Sequence, residues 1–131
     1  VIVLDASVLA NVVADDGSEG RRARAELRGA GALAAPDLVD VETVAVLRKR
    51  WLAGSISEGR FAVAVRDLED IDLERHPVLR LMRRAFELRA NVTPYDAAYV
   101  ALAEVLGCEL WTADQRLAKA PGPSCTVRVV N

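Results

Sequence analysis

The run Val1-Ile2-Val3-Leu4, ending on Asp5, constrains the fold more than any other stretch of the chain. Four consecutive aliphatic residues are too few for a helix and lack the polar alternation of a half-exposed strand. They predict a strand buried on both faces of a parallel sheet. Asp5 then stands at the carboxyl end of that strand, the side on which open α/β sheets hold their ligands. A plain surface aspartate is the competing reading, and the other acids of the chain bear on it.

The remaining elements follow from hydrophobic period and from breakers. Val8 to Ala14 predicts a short apolar helix closed by Asp15-Asp16-Gly17, and Ser18 is expected to cap a polar helix from Glu19 to Arg28. Ala32 to Ala35 is a small-residue strand stopped by Pro36. Leu38 to Leu52 is amphipathic, with Asp37 as expected N-cap and Leu38, Val39, Val41, Ala45, Val46 and Leu52 as apolar positions. Ser55 and Glu58 have capping-box spacing before a helix to Leu68 that carries Phe61, Ala64, Val65 and Leu68 on one face. Ile71 to Glu74 alternates as a third strand, and Pro77 opens a helix through Leu79, Met82 and Phe86. Thr93-Pro94-Tyr95-Asp96 begins an almost wholly apolar helix that Gly107 stops. Cys108 to Thr112 is a fourth strand, a helical turn follows near Leu117, and Thr126 to Val130 alternates as an edge strand. Strands alternating with helices give a single domain over residues 1–131, a three-layer α/β/α sandwich with a mostly parallel sheet of about five strands.

Composition narrows the function. A hydrophobic content of 52% and a mean hydropathy of +0.16 exclude disorder, and a net charge of -2 counts against a passive nucleic-acid binder. No apolar run approaches the ~20 residues that span a bilayer, and no secretory leader pattern is present, so a cytoplasmic protein without membrane attachment is expected. Cys108 and Cys125 lack metal-ligand spacing, and the single His76 is expected in a loop. There is no glycine-rich phosphate loop, and Ser7 has no suitable histidine for a nucleophilic triad.

Three further acids break the apolar pattern. Glu42 lies on or beside the stripe of its helix that should enter the core, where a carboxylate must be paired, protonated or metal-bound; an arginine-paired boundary residue is the alternative. Asp96 stands three residues after Thr93, where an acid can simply complete a capping box. Asp114 follows the fourth strand as Asp5 follows the first, and it too can be no more than a helix cap. Gathered at one sheet edge, such carboxylates repel by roughly 4 kcal/mol for a pair 4 Å apart at an effective dielectric of 20. A divalent cation removes that repulsion, and oxygen-only ligands suit Mg²⁺ or Mn²⁺ better than Zn²⁺.

At this point the chain resembles the PIN-domain ribonucleases, and within them the VapC toxins of bacterial toxin-antitoxin pairs. The resemblance rests on Asp5-Ala6-Ser7, on Glu42 in Val41-Glu42-Thr43, on Asp96 in Thr93-Pro94-Tyr95-Asp96-Ala97-Ala98-Tyr99, and on Asp114 in Thr112-Ala113-Asp114-Gln115-Arg116-Leu117. It implies an Mg²⁺- or Mn²⁺-dependent endoribonuclease in which Asp5, Glu42, Asp96 and Asp114 bind metal. Ser7 and Thr112 would orient ligands or water, Asn11 could face the pocket, and Arg116 could contact an RNA phosphate. It also implies a homodimer and a cognate VapB-type antitoxin. A catalytically silent PIN-like module that only binds RNA or protein is the alternative from another class. A Mg²⁺-dependent DNA nuclease or phosphatase is a third.

Overall fold

A computed structural model describes residues 1–131. Five parallel strands form one sheet: β1 (Ile2–Leu4), β2 (Leu33–Pro36), β3 (Glu74–His76), β4 (Leu110–Thr112) and β5 (Val127–Val129), in the order β3-β2-β1-β4-β5. The aliphatic opening run is the central strand, as its two-sided apolarity requires. Ile2 and Leu4 enter a small core with Val8, Ala23, Trp111 and Val130, while Val3 enters a larger core with Leu9, Leu47, Val100 and Leu110. This alternation divides β1 between two layers, and helices cover both faces of the sheet.

Those helices are α1 (Ala6–Ala14), α2 (Ser18–Leu27), α3 (Val39–Leu52), α4 (Glu58–Asp70), α5 (Met82–Glu87), α6 (Pro94–Leu106) and α7 (Gln115–Lys119), with a 3-10 helix at Val78–Leu81 leading into α5. α6 is the buried one, every residue from Ala97 to Ala103 being inaccessible, and Gly107 ends it in the left-handed conformation at φ 64°. α1 and α2 cross so closely that a Cβ on Gly20 would lie 1.8 Å from the Asp15 carbonyl oxygen. Arg24 seals this junction by donating from Nη1 to the carbonyls of Val12 at 3.1 Å and Asp15 at 2.8 Å, at the carboxyl end of α1 where helix carbonyls lack partners. No helix is long and apolar enough to cross a membrane.

Several expected boundaries and faces are corrected. Ser18 is the first residue of α2 rather than its cap. Asp37 does not cap α3; its Oδ1 accepts from the Val78 amide at 3.2 Å and ties β2 to the start of the 3-10 helix. Ser57, not Ser55, caps α4, accepting from the Arg60 amide at 3.0 Å. The inward face of α3 is Val39, Thr43 and Leu47 at strict four-residue spacing, whereas Val41, at 75% exposure, Ala45 and Leu52 face solvent. With valine and alanine on every side of this helix, composition could not single out one stripe. β3 starts three residues late, because it pairs with Ala34, Ala35 and Pro36 of β2, and His76 is therefore its last strand residue and not part of a loop. In the segment after Pro77 the buried residues are Leu81, Ala85 and Leu88, leaving Leu79 and Phe86 exposed.

Candidate active site

The strand order reverses beside β1: the chain builds β2 and β3 on one side, then returns to place β4 on the other. Such a switch point opens a crevice at the carboxyl ends of the two diverging strands. Asp5 and Asp114 follow β1 and β4 there. The register pairs Val3 with Leu110 and Leu4 with Trp111, and the Asp5 amide donates to the Trp111 carbonyl at 3.1 Å.

Each acid is also set by the start of a helix. Asp5 is the N-cap of α1, its Oδ1 accepting from the Ser7 amide at 3.1 Å, the Val8 amide at 3.1 Å and the Ser7 hydroxyl at 2.5 Å. Glu42 lies in the first turn of α3. Asp96 is in the first turn of α6, its amide donating to the Thr93 hydroxyl at 3.2 Å. Asp114 caps α7 by accepting from the Arg116 amide at 2.9 Å. A parallel sheet points all these helix N-termini at one edge, and their dipoles favour carboxylates.

The four acids line one cavity of about 180 Å³, completed by Ala6, Ser7, Val46 and Tyr99. No basic side chain lines it. Burial pushes the Asp5 carboxyl above its ordinary range, opposed by the Ser7 and Thr112 hydroxyls and the Val8 amide and reinforced by the Asp96 charge. Burial likewise raises Glu42, with Asp96 and Asp5 adding to it, and raises Asp96, with Asp114 adding to it. Asp114 alone is held low, first by the Arg116 amide and then by the Arg116 guanidinium.

The other expected residues fall into place unequally. Ser7 joins the two strand ends, donating to Asp5 and accepting at Oγ from the Ala113 amide at 3.0 Å. Thr112 is fully buried and accepts from the Asp114 amide at 3.0 Å, fixing the turn that presents that acid. Arg116, 92% exposed at its side chain, stands at the mouth with its Nε 3.3 Å from Asp114 Oδ1. Asn11 is not brought to the cavity: it is buried between α1 and α3, and its Oδ1 accepts from Arg50 at 2.6 Å. Tyr99, a member of the Asp96 motif, joins the site as well, outside the set of residues the sequence points to. Its hydroxyl donates to Glu42 Oε1 at 2.6 Å, and its position one turn after Asp96 on the same helix was the available signal. Arg24, Arg50 and Arg84 are engaged by groups of the chain itself.

No three His, Cys, Asp or Glu side chains form a ready-made metal cage, so the acids share the cavity walls without closing around one point. The donor set nevertheless fits a hard divalent cation: it is all oxygen, it is partly desolvated, and three of its members are pushed toward protonation with another acid among the causes.

Fold and site together define a parallel α/β protein with a carboxylate-lined pocket at its strand-order switch. The PIN domain matches residues 2–123 of the chain. Ribonuclease VapC9 of Mycobacterium tuberculosis is 38% identical over 130 residues, covering 99% of this chain and 98% of its own. Ribonuclease VapC1 of the same organism is 38% identical over 129 residues, covering 98% and 96%. Among solved structures, VapC20 of M. tuberculosis, described as a sarcin-ricin loop cleaving toxin, superposes with a TM-score of 0.72 at 16% identity over 91% of this chain and 94% of its own, a likeness of fold. The chain belongs to the PIN-domain family, among its VapC-type members.

Proposed function

We propose that this protein is a VapC-type toxin, an Mg²⁺- or Mn²⁺-dependent endoribonuclease that hydrolyses RNA phosphodiesters. The observation that carries the proposal is the convergence of Asp5, Glu42, Asp96 and Asp114 on one cavity that no basic side chain lines. Asp5 and Asp96 hold the cation most directly, and Glu42 and Asp114 complete its surroundings. When bound, the cation supplies the charge that acidifies an attacking water and offsets charge building on the scissile phosphate. The Ser7 hydroxyl and the Val8 amide fix the Asp5 carboxylate, and Tyr99 fixes Glu42, so ligand orientation is set before substrate arrives. Arg116 exchanges its pairing with Asp114 for a phosphate oxygen of the RNA, as its exposure permits. The products carry a 5′-phosphate and a 3′-hydroxyl.

The proposal extends to partners. A VapB-type antitoxin silences the enzyme by laying a segment over the cavity, where an arginine can replace the cation's charge. A homodimer is the working assembly. The test is cleavage of total RNA by purified protein with Mg²⁺, Mn²⁺ or EDTA, comparing wild type with Asp5→Asn and Asp96→Asn. Metal-dependent cuts with 5′-phosphate ends, absent in both variants, are expected. Equal behaviour of all three proteins overturns the proposal.

A further inference from the structure

A second cavity, of about 290 Å³, adjoins the acidic one and shares Asp96 and Asp114 with it. Its other lining residues are Asn91, Val92, Thr93, Arg116, Leu117 and Ala120. The two cavities differ in kind. Val92 and Leu117, both buried, and Ala120 give the second an apolar floor, whereas its rim carries amide, hydroxyl and guanidinium groups.

Asn91 is the informative member. Its side chain is exposed, and a carboxamide presents donor and acceptor side by side. Its backbone is held firmly: the Asn91 and Val92 amides both donate to the Leu88 carbonyl, at 3.1 and 3.0 Å, and Leu88 and Val92 are themselves core residues. The carboxamide is therefore presented from a fixed turn, the condition under which a polar group can discriminate between ligands.

A neutral planar group with an apolar face and a polar edge matches this cavity: the apolar floor accepts its face, and Asn91 meets its edge. A nucleobase has this chemistry, and single-stranded RNA leaves bases unstacked and free to enter such a site. Arg116 lines this second cavity and pairs with Asp114, which both cavities share, so it stands where the phosphate linking a seated base to the acidic pocket would pass.

We infer that this cavity seats the base of a nucleotide flanking the scissile phosphate, and that Asn91 reads its edge and sets the cleavage preference. The inference rests on the ribonuclease function proposed above. It assigns the choice of cutting site to a residue that makes no contact with the reacting groups.

The test uses a single-stranded RNA pool with a randomised segment, cleaved by wild type, Asn91→Ala, Asn91→Asp and Arg89→Ala, with the new 5′ ends sequenced. Arg89 is the control, since its guanidinium lies over the Phe86 ring at 4.0 Å and lines neither cavity. Wild type and the control are expected to share a base preference at one flanking position. Asn91→Ala lowers that preference about tenfold at that position alone, the scale of one lost bidentate contact. Asn91→Asp, which only accepts, shifts it toward a base bearing an amino group. A profile unchanged in Asn91→Ala, or a wild type without flanking preference, overturns the inference. Anisotropy binding of short homopolymeric oligoribonucleotides separates the two claims. Base-dependent binding that Asn91→Ala abolishes, without cleavage by wild type, refutes the nuclease and upholds the pocket. Equal binding of every homopolymer by wild type and Asn91→Ala refutes the pocket.

Discussion

Replacing Asp5 by asparagine separates the charge of that residue from its capping role. The carboxylate Oδ1 accepts from the Ser7 and Val8 amides, each at 3.1 Å, and an asparagine carbonyl can do the same. What asparagine removes is a titratable carboxyl that is 6% exposed and feels the charge of Asp96. Burial, with Asp96, raises the Asp5 carboxyl above its ordinary 3.8, so the folded chain binds this proton more tightly than the unfolded chain does. The stability linked to it is fully present below that ordinary value and is lost as pH rises through the raised one. Once ionised, with no cation, the group costs about 1 to 3 kcal/mol, the scale of an imperfectly compensated buried polar group. Asp5→Asn should therefore melt roughly 4 to 11 °C higher than wild type for a chain of this length. Asp5→Ala removes the same charge but also the cap, worth about 1 kcal/mol, and should fall short of Asp5→Asn by that amount. Melts followed by circular dichroism in EDTA, from about pH 4 to about pH 8, should show the gap opening as pH rises. Added Mg²⁺ should then stabilise wild type more than the variant, by linkage to binding. An Asp5→Asn protein that melts at or below wild type at neutral pH in EDTA, or a gap indifferent to pH, refutes the reasoning.

Tyr99→Phe deletes the hydrogen bond to Glu42, which is one of the influences holding that carboxyl down against burial. The acid limb of the pH–rate profile should move to higher pH, with a stability loss of about 1 to 2 kcal/mol; an unmoved limb would show that the bond does not tune Glu42. Glu104 behaves in the opposite sense from Asp5, because Arg84 Nε at 2.8 Å and the Ser124 amide at 2.7 Å hold its carboxyl below the usual range. Its contribution is present above the ordinary glutamate value of 4.5 and lost as pH falls through the lowered one. Glu104→Gln should be less stable than wild type at neutral pH by about 1 kcal/mol, and that difference should vanish on acidification. Urea titrations at two pH values measure it.

The sequence made the sheet and the carboxylate set legible for a physical reason. β1 has no polar residue to offer solvent, so its central place and the exit of Asp5 at the carboxyl edge follow together. α6 is apolar on every side, with a proline and threonine start and a glycine stop, and only a buried helix fits that pattern. The misread elements are those where a distant partner decides. β3 is placed by the length of β2, and Asp37 finds Val78 rather than its own helix, because the competing hydrogen bond comes from forty-one residues away. The Tyr99 hydroxyl reaches Glu42 across fifty-seven residues, beyond any local pattern. Asn11 shows the reverse error: helical spacing from Ser7 permitted a place at the pocket, but Arg50 engages its amide instead.

The Ser7 hydroxyl and the Ala113 amide close a hydrogen bond across 106 residues, tying the first strand's exit to that of the fourth. A ribosome delivers the start of a chain first. The last wall of the pocket has no strand to stand on until β4 inserts beside β1. A chain that stops short of β4 therefore lacks both the fourth carboxylate and the strand that holds it against Asp5.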